Sequence, residues 1–112
     1  MTFPDPIVQI ATDEDFNCAG EVKFSGNPHV SVAGYNKLTV QAIATEQAAS
    51  TWVLTLEGAN IPVSDAFTSI TTLSGNGTTM SATQTNNYAF VRVRKTTAAD
   101  ARGTVAIHGW LE

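Results

Sequence analysis

Few side chains in this 112-residue sequence are of types that do chemistry. His29 and His108 are its two histidines and Cys18 its one cysteine. Neither histidine belongs to a His-x-x-x-His pair, and Cys18 has no Cys-x-x-Cys partner, the spacings from which zinc sites are usually built. A nucleophile needs a base and a group that orients the base; Cys18 and a distant histidine are a combination that chance supplies in most chains. Asp13-Glu14-Asp15 offers hard oxygens of the kind that hold Ca²⁺. It lacks the Asp-x-Asp-x-Asp-Gly spacing with a later Glu that a calcium loop uses, and it reads as a solvated acidic turn. The residues therefore predict no catalytic group, no metal ligand set and no cofactor, and a protein that is not an enzyme.

Two further candidates carry binding chemistry. Aromatic rings serve as flat platforms in sugar-binding β-sandwiches, and the chain has Trp52 and Trp110. Trp52 alternates in phase with Leu54 and Leu56, the pattern of a core position. Trp110 is out of phase with Val105, Ile107 and Leu111, which predicts an exposed or interfacial ring. Arg92, Arg94, Lys95 and Arg102 form the one local concentration of positive charge. Arg92 and Arg94 share a strand face because side chains alternate with period two, and a solvated face explains that stripe. His108, between Ala106 and Trp110, reads as a partly buried or interfacial imidazole.

Composition narrows the classes. Only six residues are Lys or Arg, and the net charge is −4. A nucleic-acid binder needs clustered cations to displace counterions from phosphates, so no nucleic-acid partner is predicted. Hydrophobic residues make up 43% and charged residues 14% of the chain, against about 25% charged in an average domain. That balance folds, where a disordered chain shows the reverse. The length suits one core. A surface poor in charge and rich in Thr, Ser, Ala and Asn is easy to desolvate and suits burial against a partner. Met1–Pro6 has neither the basic nor the apolar region of a signal peptide. No apolar run approaches the ~20 residues that span a bilayer. With a single cysteine, these features predict synthesis in a reducing cytosol and no membrane partner, and leave the glycosylation-like Asn76-Gly77-Thr78 unused.

The elements that position these residues are strands. Alternating runs at Glu21–Phe24, His29–Val32, Lys37–Ala44, Thr51–Glu57, Phe67–Leu73, Thr78–Thr83, Tyr88–Arg94 and Gly103–Leu111 are separated by turn signals. The predicted fold is all-β: one antiparallel sandwich of jelly-roll or immunoglobulin-like type, with seven to nine strands. Helix is confined to single turns. Trp52, Leu54, Leu56, Val91, Val93, Val105 and Ile107 are the predicted core. Ser74-Gly75-Asn76-Gly77 is the strongest hairpin signal, so the strand from Thr78 is expected to return antiparallel on the one before it. The final strand is expected inside a sheet or at an interface.

Residues 1–19 differ from the sandwich domain, 20–112. Pro4, Pro6 and the acidic triplet surround a short apolar stretch, Ile7-Val8-Gln9-Ile10, which predicts an extended arm. The arm is expected to lie across a neighbouring subunit by β-augmentation, or else to add an edge strand to its own sandwich. Phe3, Ile7, Val8, Ile10, Phe16 and Trp110 are the predicted interface residues.

The segments Trp52-Val53-Leu54-Thr55-Leu56-Glu57-Gly58 and Tyr88-Ala89-Phe90-Val91-Arg92-Val93 resemble a family of small β-sandwich proteins from tailed-phage virions and prophages. The family pattern is a strand of Trp-x-hydrophobic-x-Leu-x-Gly, then turn-rich hairpins, then a strand of Tyr-x-hydrophobic-Val-Arg-Val. The likeness covers roughly the C-terminal two-thirds. The chain departs from the pattern after Gly58, with Ala59-Asn60-Ile61-Pro62 where many members have Ser-Asn-Asp-Gly. The resemblance implies a capsid decoration (cement) subunit, assembled in the host cytoplasm and located in the virion. Its partners would be the major capsid protein or other virion subunits, and it would form a homo-oligomer, with trimers favoured. The alternatives are a glycan- or receptor-binding module on a fibre and a tail or connector component.

Overall fold

A strand that alternates apolar and polar residues has one dry face and one wet face, and two sheets remove their dry faces from water by stacking. A computed structural model, which describes residues 7–44, 51–75, 79–97 and 101–111, has this arrangement. Its strands are β1 (Val8–Asp15), β2 (Gly20–Glu21), β3 (Val30–Ser31), β4 (Lys37–Ala44), β5 (Trp52–Ala59), β6 (Thr68–Gly75), β7 (Met80–Thr85), β8 (Phe90–Thr97) and β9 (Arg102–Trp110). The one helical element among the described residues is a 3-10 turn at Ser64–Ala66.

The first sheet has the order β1-β9-β4-β7 and the second β2-β8-β5-β6, with β3 also paired to β8. All pairings between these strands are antiparallel. With β2 and β3 counted as one interrupted strand, every connection crosses from sheet to sheet except the β5–β6 hairpin. That winding is a jelly roll, eight strands in two Greek keys.

The core lies between the sheets. Leu38, Val40, Ala42, Val105 and Ile107 face inward from the first, and Trp52, Leu54, Leu56, Val91 and Val93 from the second. All seven core residues expected from alternation are at most 1% exposed. Phe16 closes one end, its ring centroid 5.1 Å from that of Trp52. Gly103 leaves the space that the Phe16 ring occupies.

Four expectations need correction. Of the two courses expected for the segment 1–19, its described residues, 7–19, follow the second, an edge strand on their own sandwich, and not the first. Val8–Asp15 is an edge strand that pairs with β9, and Phe16 is fully buried in the chain's own core. The backbone N–H and C=O groups of this eight-residue strand are satisfied at the nearest open edge, here its own. Residues 1–6, with Phe3, lie outside the described residues. Secondly, β7 does not return on β6. It pairs with β4 along all six residues, while β6 pairs with β5. Asn-Gly chemistry signals that the chain turns, and not which strand it then meets; Asn76 and Gly77 are themselves outside the described residues. Thirdly, Leu111 does not continue the inward phase of β9. Gly109 takes the inward position, beside the ring of Tyr35, and Leu111 is exposed beyond the strand end. Finally, Arg92 is not part of a solvated stripe. It is 5% exposed, covered by groups from β5 and from the loop before β6.

Candidate association surface

The ionisable groups are mostly engaged in holding the sandwich. Arg92 Nε donates to Glu57 Oε1 at 2.7 Å, its Nη1 lies 3.7 Å from Glu21 Oε1, and its guanidinium sits 4.3 Å above the Phe67 ring. Lys95 points inward on the phase of Val93 and reaches across to the other sheet, where Nζ meets Glu14 Oε1 at 3.1 Å and the Asp15 carbonyl at 2.8 Å. Arg102 Nε donates to Asp13 Oδ1 at 2.7 Å. The acidic triplet thus serves as structural counter-charge. Asp13 and Glu14 hold cations, and Asp15 Oδ1 accepts the Asn17 amide at 2.8 Å. The described residues contain no cluster of three or more metal-ligating side chains, and Cys18 is exposed and unbridged.

Shallow depressions lie on the surface of the described residues, and two are relevant. One, of about 180 Å³, lies beside His29, with Gln9, Asn27 and Ser31 around it. His29 is fixed there edge-on to Phe90, 5.5 Å between centroids. The other, of about 250 Å³, lies among Gln41, Ile43, Thr79, Thr104 and Ala106. Both fall below the ~300 Å³ at which pockets begin to enclose a small molecule.

The second depression sits on the feature that distinguishes this molecule, the outer face of the four-stranded sheet. Register builds that face in rows. Val8, His108, Thr39 and Thr83 form one, and Ile10, Ala106, Gln41 and Ser81 the next. Trp110, Lys37 and Thr85 lie on one side of these, and Thr104 with Ile43 on the other. In these rows Lys37 is the one residue with a full charge at pH 7. Val8 is 52% exposed, Ile10 47%, Ile43 44% and Trp110 40%. Four large apolar side chains half open to water on one sheet face is more than the scattered singles of an ordinary surface.

The polar groups of this face are fixed. Trp110 Nε1 donates to Thr39 Oγ1 at 2.9 Å, and Thr39 Oγ1 lies 3.2 Å from Thr83 Oγ1 on β7. The His108 ring packs 4.1 Å from that of Trp110, and its Nε2 is buried without a hydrogen-bond partner. Side-chain hydrogen bonds thus link the face across three strands, β9, β4 and β7.

Of the predicted interface residues, Val8, Ile10 and Trp110 meet on this face. Ile7 packs against the core, Phe16 lies inside it, and Phe3 is outside the described residues. Sequence reasoning missed Ile43 and Thr39 as members and read His108 only as a partly buried or interfacial imidazole. Ile43 carried the signal: it is out of phase with Leu38, Val40 and Ala42 on the same strand. That β1, β9 and β4 lie side by side had no local signal, because strand order is set by pairing over long sequence separations.

No protein-family model matches the chain, and no curated protein matches it in sequence. Among solved structures, the K1 cleaved adhesin domain of Lys-gingipain from Porphyromonas gingivalis W83 superposes with a TM-score of 0.54 at 15% identity, over 77% of this chain. The chain spans 61% of that domain. PirA superposes with a TM-score of 0.51 at 11% identity, over 97% of this chain and 96% of PirA. At these identities the likeness is one of fold.

Proposed function

We propose that this chain is a non-enzymatic structural subunit that joins a larger assembly through the outer face of its four-stranded sheet, and that the assembly is a tailed-phage virion whose head it decorates. The observation that carries the first part is the set Val8, Ile10, Ile43 and Trp110, half exposed on one nearly uncharged face. Burying such a face against a preformed surface gains apolar contact, desolvates one full charge at the margin, Lys37, and stabilises the assembled form by mass action. The virion part rests on the resemblance of Trp52–Gly58 and Tyr88–Val93 to small phage proteins. The jelly roll recurs in viral capsid domains, a support at the level of fold alone.

The test is co-sedimentation of the purified chain with heads that lack it, from the phage or prophage that carries its gene. Saturable binding at a fixed copy number is expected. A double variant, Ile10→Ser with Trp110→Ala, should weaken it by at least about thirtyfold, the effect of losing roughly 2 kcal/mol at an interface centre. Heads that bind no chain, or that bind the variant equally, refute the proposal.

One observation favours a second reading. Trp110, pinned by Thr39 and packed on His108, is a fixed aromatic platform of the kind that meets sugar rings, and an adhesin domain shares the fold. In that case Trp110→Ala should abolish binding on a glycan array while head binding is absent throughout.

A further inference from the structure

We infer that β7 is a pairing edge for a second copy of this chain, forming a twofold dimer in which two four-stranded sheets join into one of eight strands. This does not depend on the virion reading, since it rests on the backbone edge and not on the apolar face.

A sandwich has sheet edges with unpaired N–H and C=O groups, and natural proteins blunt them with charge, proline, bulges or brevity. Three edges here are blunted. β1 breaks register between Ala11 and Glu14, holds Asp13 in the left-handed region at φ 53°, and carries three carboxylates. β2 and β3 are two residues each. β6 shifts register where Leu56 faces Thr71 and Glu57 faces Ser69, which leaves Ile70 unmatched. The fourth edge, β7, has none of these devices. Its six residues, Met80-Ser81-Ala82-Thr83-Gln84-Thr85, keep unbroken register with β4 and include no charge, proline or glycine.

The occupant that this edge matches is itself. A neutral strand of unbroken register offers nothing to attract a charged partner, and nothing to repel an identical one. Antiparallel pairing about a twofold axis at Thr83 sets Thr83 beside its own copy, Ser81 beside Thr85, and Ala82 beside Gln84. Outward hydroxyls then meet outward hydroxyls, a favourable class of cross-strand pair, and inward-facing residues meet inward-facing ones. The contact is isologous and closes at two. The far edge of each sheet is β1, whose bulge and carboxylates stop further addition. The oligomer is thus even-numbered, in place of the trimer that the family likeness favours.

Light scattering on the eluting chain, at up to about 200 μM because dimer population follows protomer concentration, should give twice the 11.9 kDa chain mass. Hydrogen exchange should show the amides of residues 80–85 gaining protection as concentration rises. Ser81 and Thr83 are exposed, so Ser81→Lys with Thr83→Lys should keep the β-sheet circular dichroism, with a small fall in melting temperature from the lost Thr39–Thr83 hydrogen bond, while raising the dimer dissociation constant at least about tenfold, through like charges set together across the axis. Ser69→Lys on β6, and the face variants at Ile10 and Trp110, should leave the dimer intact. A monomer at the highest concentration overturns the inference, as does a dimer that the face variants break and the lysines do not. So does protection gained elsewhere than at 80–85, a readout that needs no variant to fold. A monomer that still binds heads would sink this inference and leave the decoration reading standing.

Discussion

Gly103→Ala tests how tightly the end of the sandwich is closed. Gly103 lies on β9, opposite Ala44 of β4 and Glu14 of β1. A Cβ there would press into the Phe16 ring and stand 2.7 Å from the Ile43 carbonyl oxygen, well inside ordinary contact distances of about 3.5–4.0 Å. Neither neighbour has room to give. Phe16 is fully buried against Trp52, with its amide bonded to the Ala101 carbonyl at 2.9 Å. Ile43 is held in the sheet by its pairing with Thr104 of β9. Overpacking costs about 1–3 kcal/mol, and two fixed neighbours place this site near the upper end. Alanine restricts the unfolded chain and returns about 0.4–1 kcal/mol. The net loss should be about 2 kcal/mol, a fall in melting temperature of about 8–16 °C for a domain near this size. Urea unfolding at fixed m-value measures it. Trimming the ring should relieve the clash, so Gly103→Ala with Phe16→Leu should be less destabilised than the sum of the single variants by at least about 0.5 kcal/mol. A single-variant loss below about 0.5 kcal/mol, or strict additivity, would refute the argument.

Arg92→Met removes the partner of a largely buried Glu57 carboxylate and should cost about 3–5 kcal/mol in denaturant unfolding, much of it recovered when Glu57→Leu is added; an effect near zero would show that water reaches the pair. Leu54→Ala should cost about 2–5 kcal/mol for a fully packed leucine, and a loss under about half a kcal/mol would place Leu54 on the wrong face. Deletion of residues 2–16 strips β1 and Phe16 from the fold, so the product should melt far below the full chain or fail to remain soluble. A truncated protein of undiminished stability would mean that β1 is dispensable to the sandwich.

The inward rows were legible because period two is a local signal: Trp52, Leu54 and Leu56 declare their face within five residues. Lys37–Ala44 was read with its bounds intact for the same reason. The errors have a common origin in pairing. Nothing near Asn76-Gly77 states that β4 is the partner of β7, since those strands meet across about forty residues of chain. Lys95 reads as a surface lysine, yet it lies inward on the phase of Val93 because Glu14 and the Asp15 carbonyl wait on the opposite sheet. The outer face was half visible. Val8, Ile10 and Trp110 stood out by phase and type, while Thr39 and His108 acquire their roles only when β1, β9 and β4 are laid side by side.

The pairing of Val8 with His108 brings the two ends of the described chain out at the same end of one sheet, on neighbouring strands. Ile7 itself lies against the last strand, its carbonyl accepting the Gly109 amide at 2.8 Å. The domain is therefore a plug-in unit: a short linker between its ends would give a circular permutant, and the whole sandwich fits as an insertion between two adjacent residues of a host loop. The same geometry sets its mechanical character. Tension applied between the ends peels β1 from β9 one hydrogen bond at a time instead of shearing the ladder all at once. A domain so built yields readily when tethered by its ends.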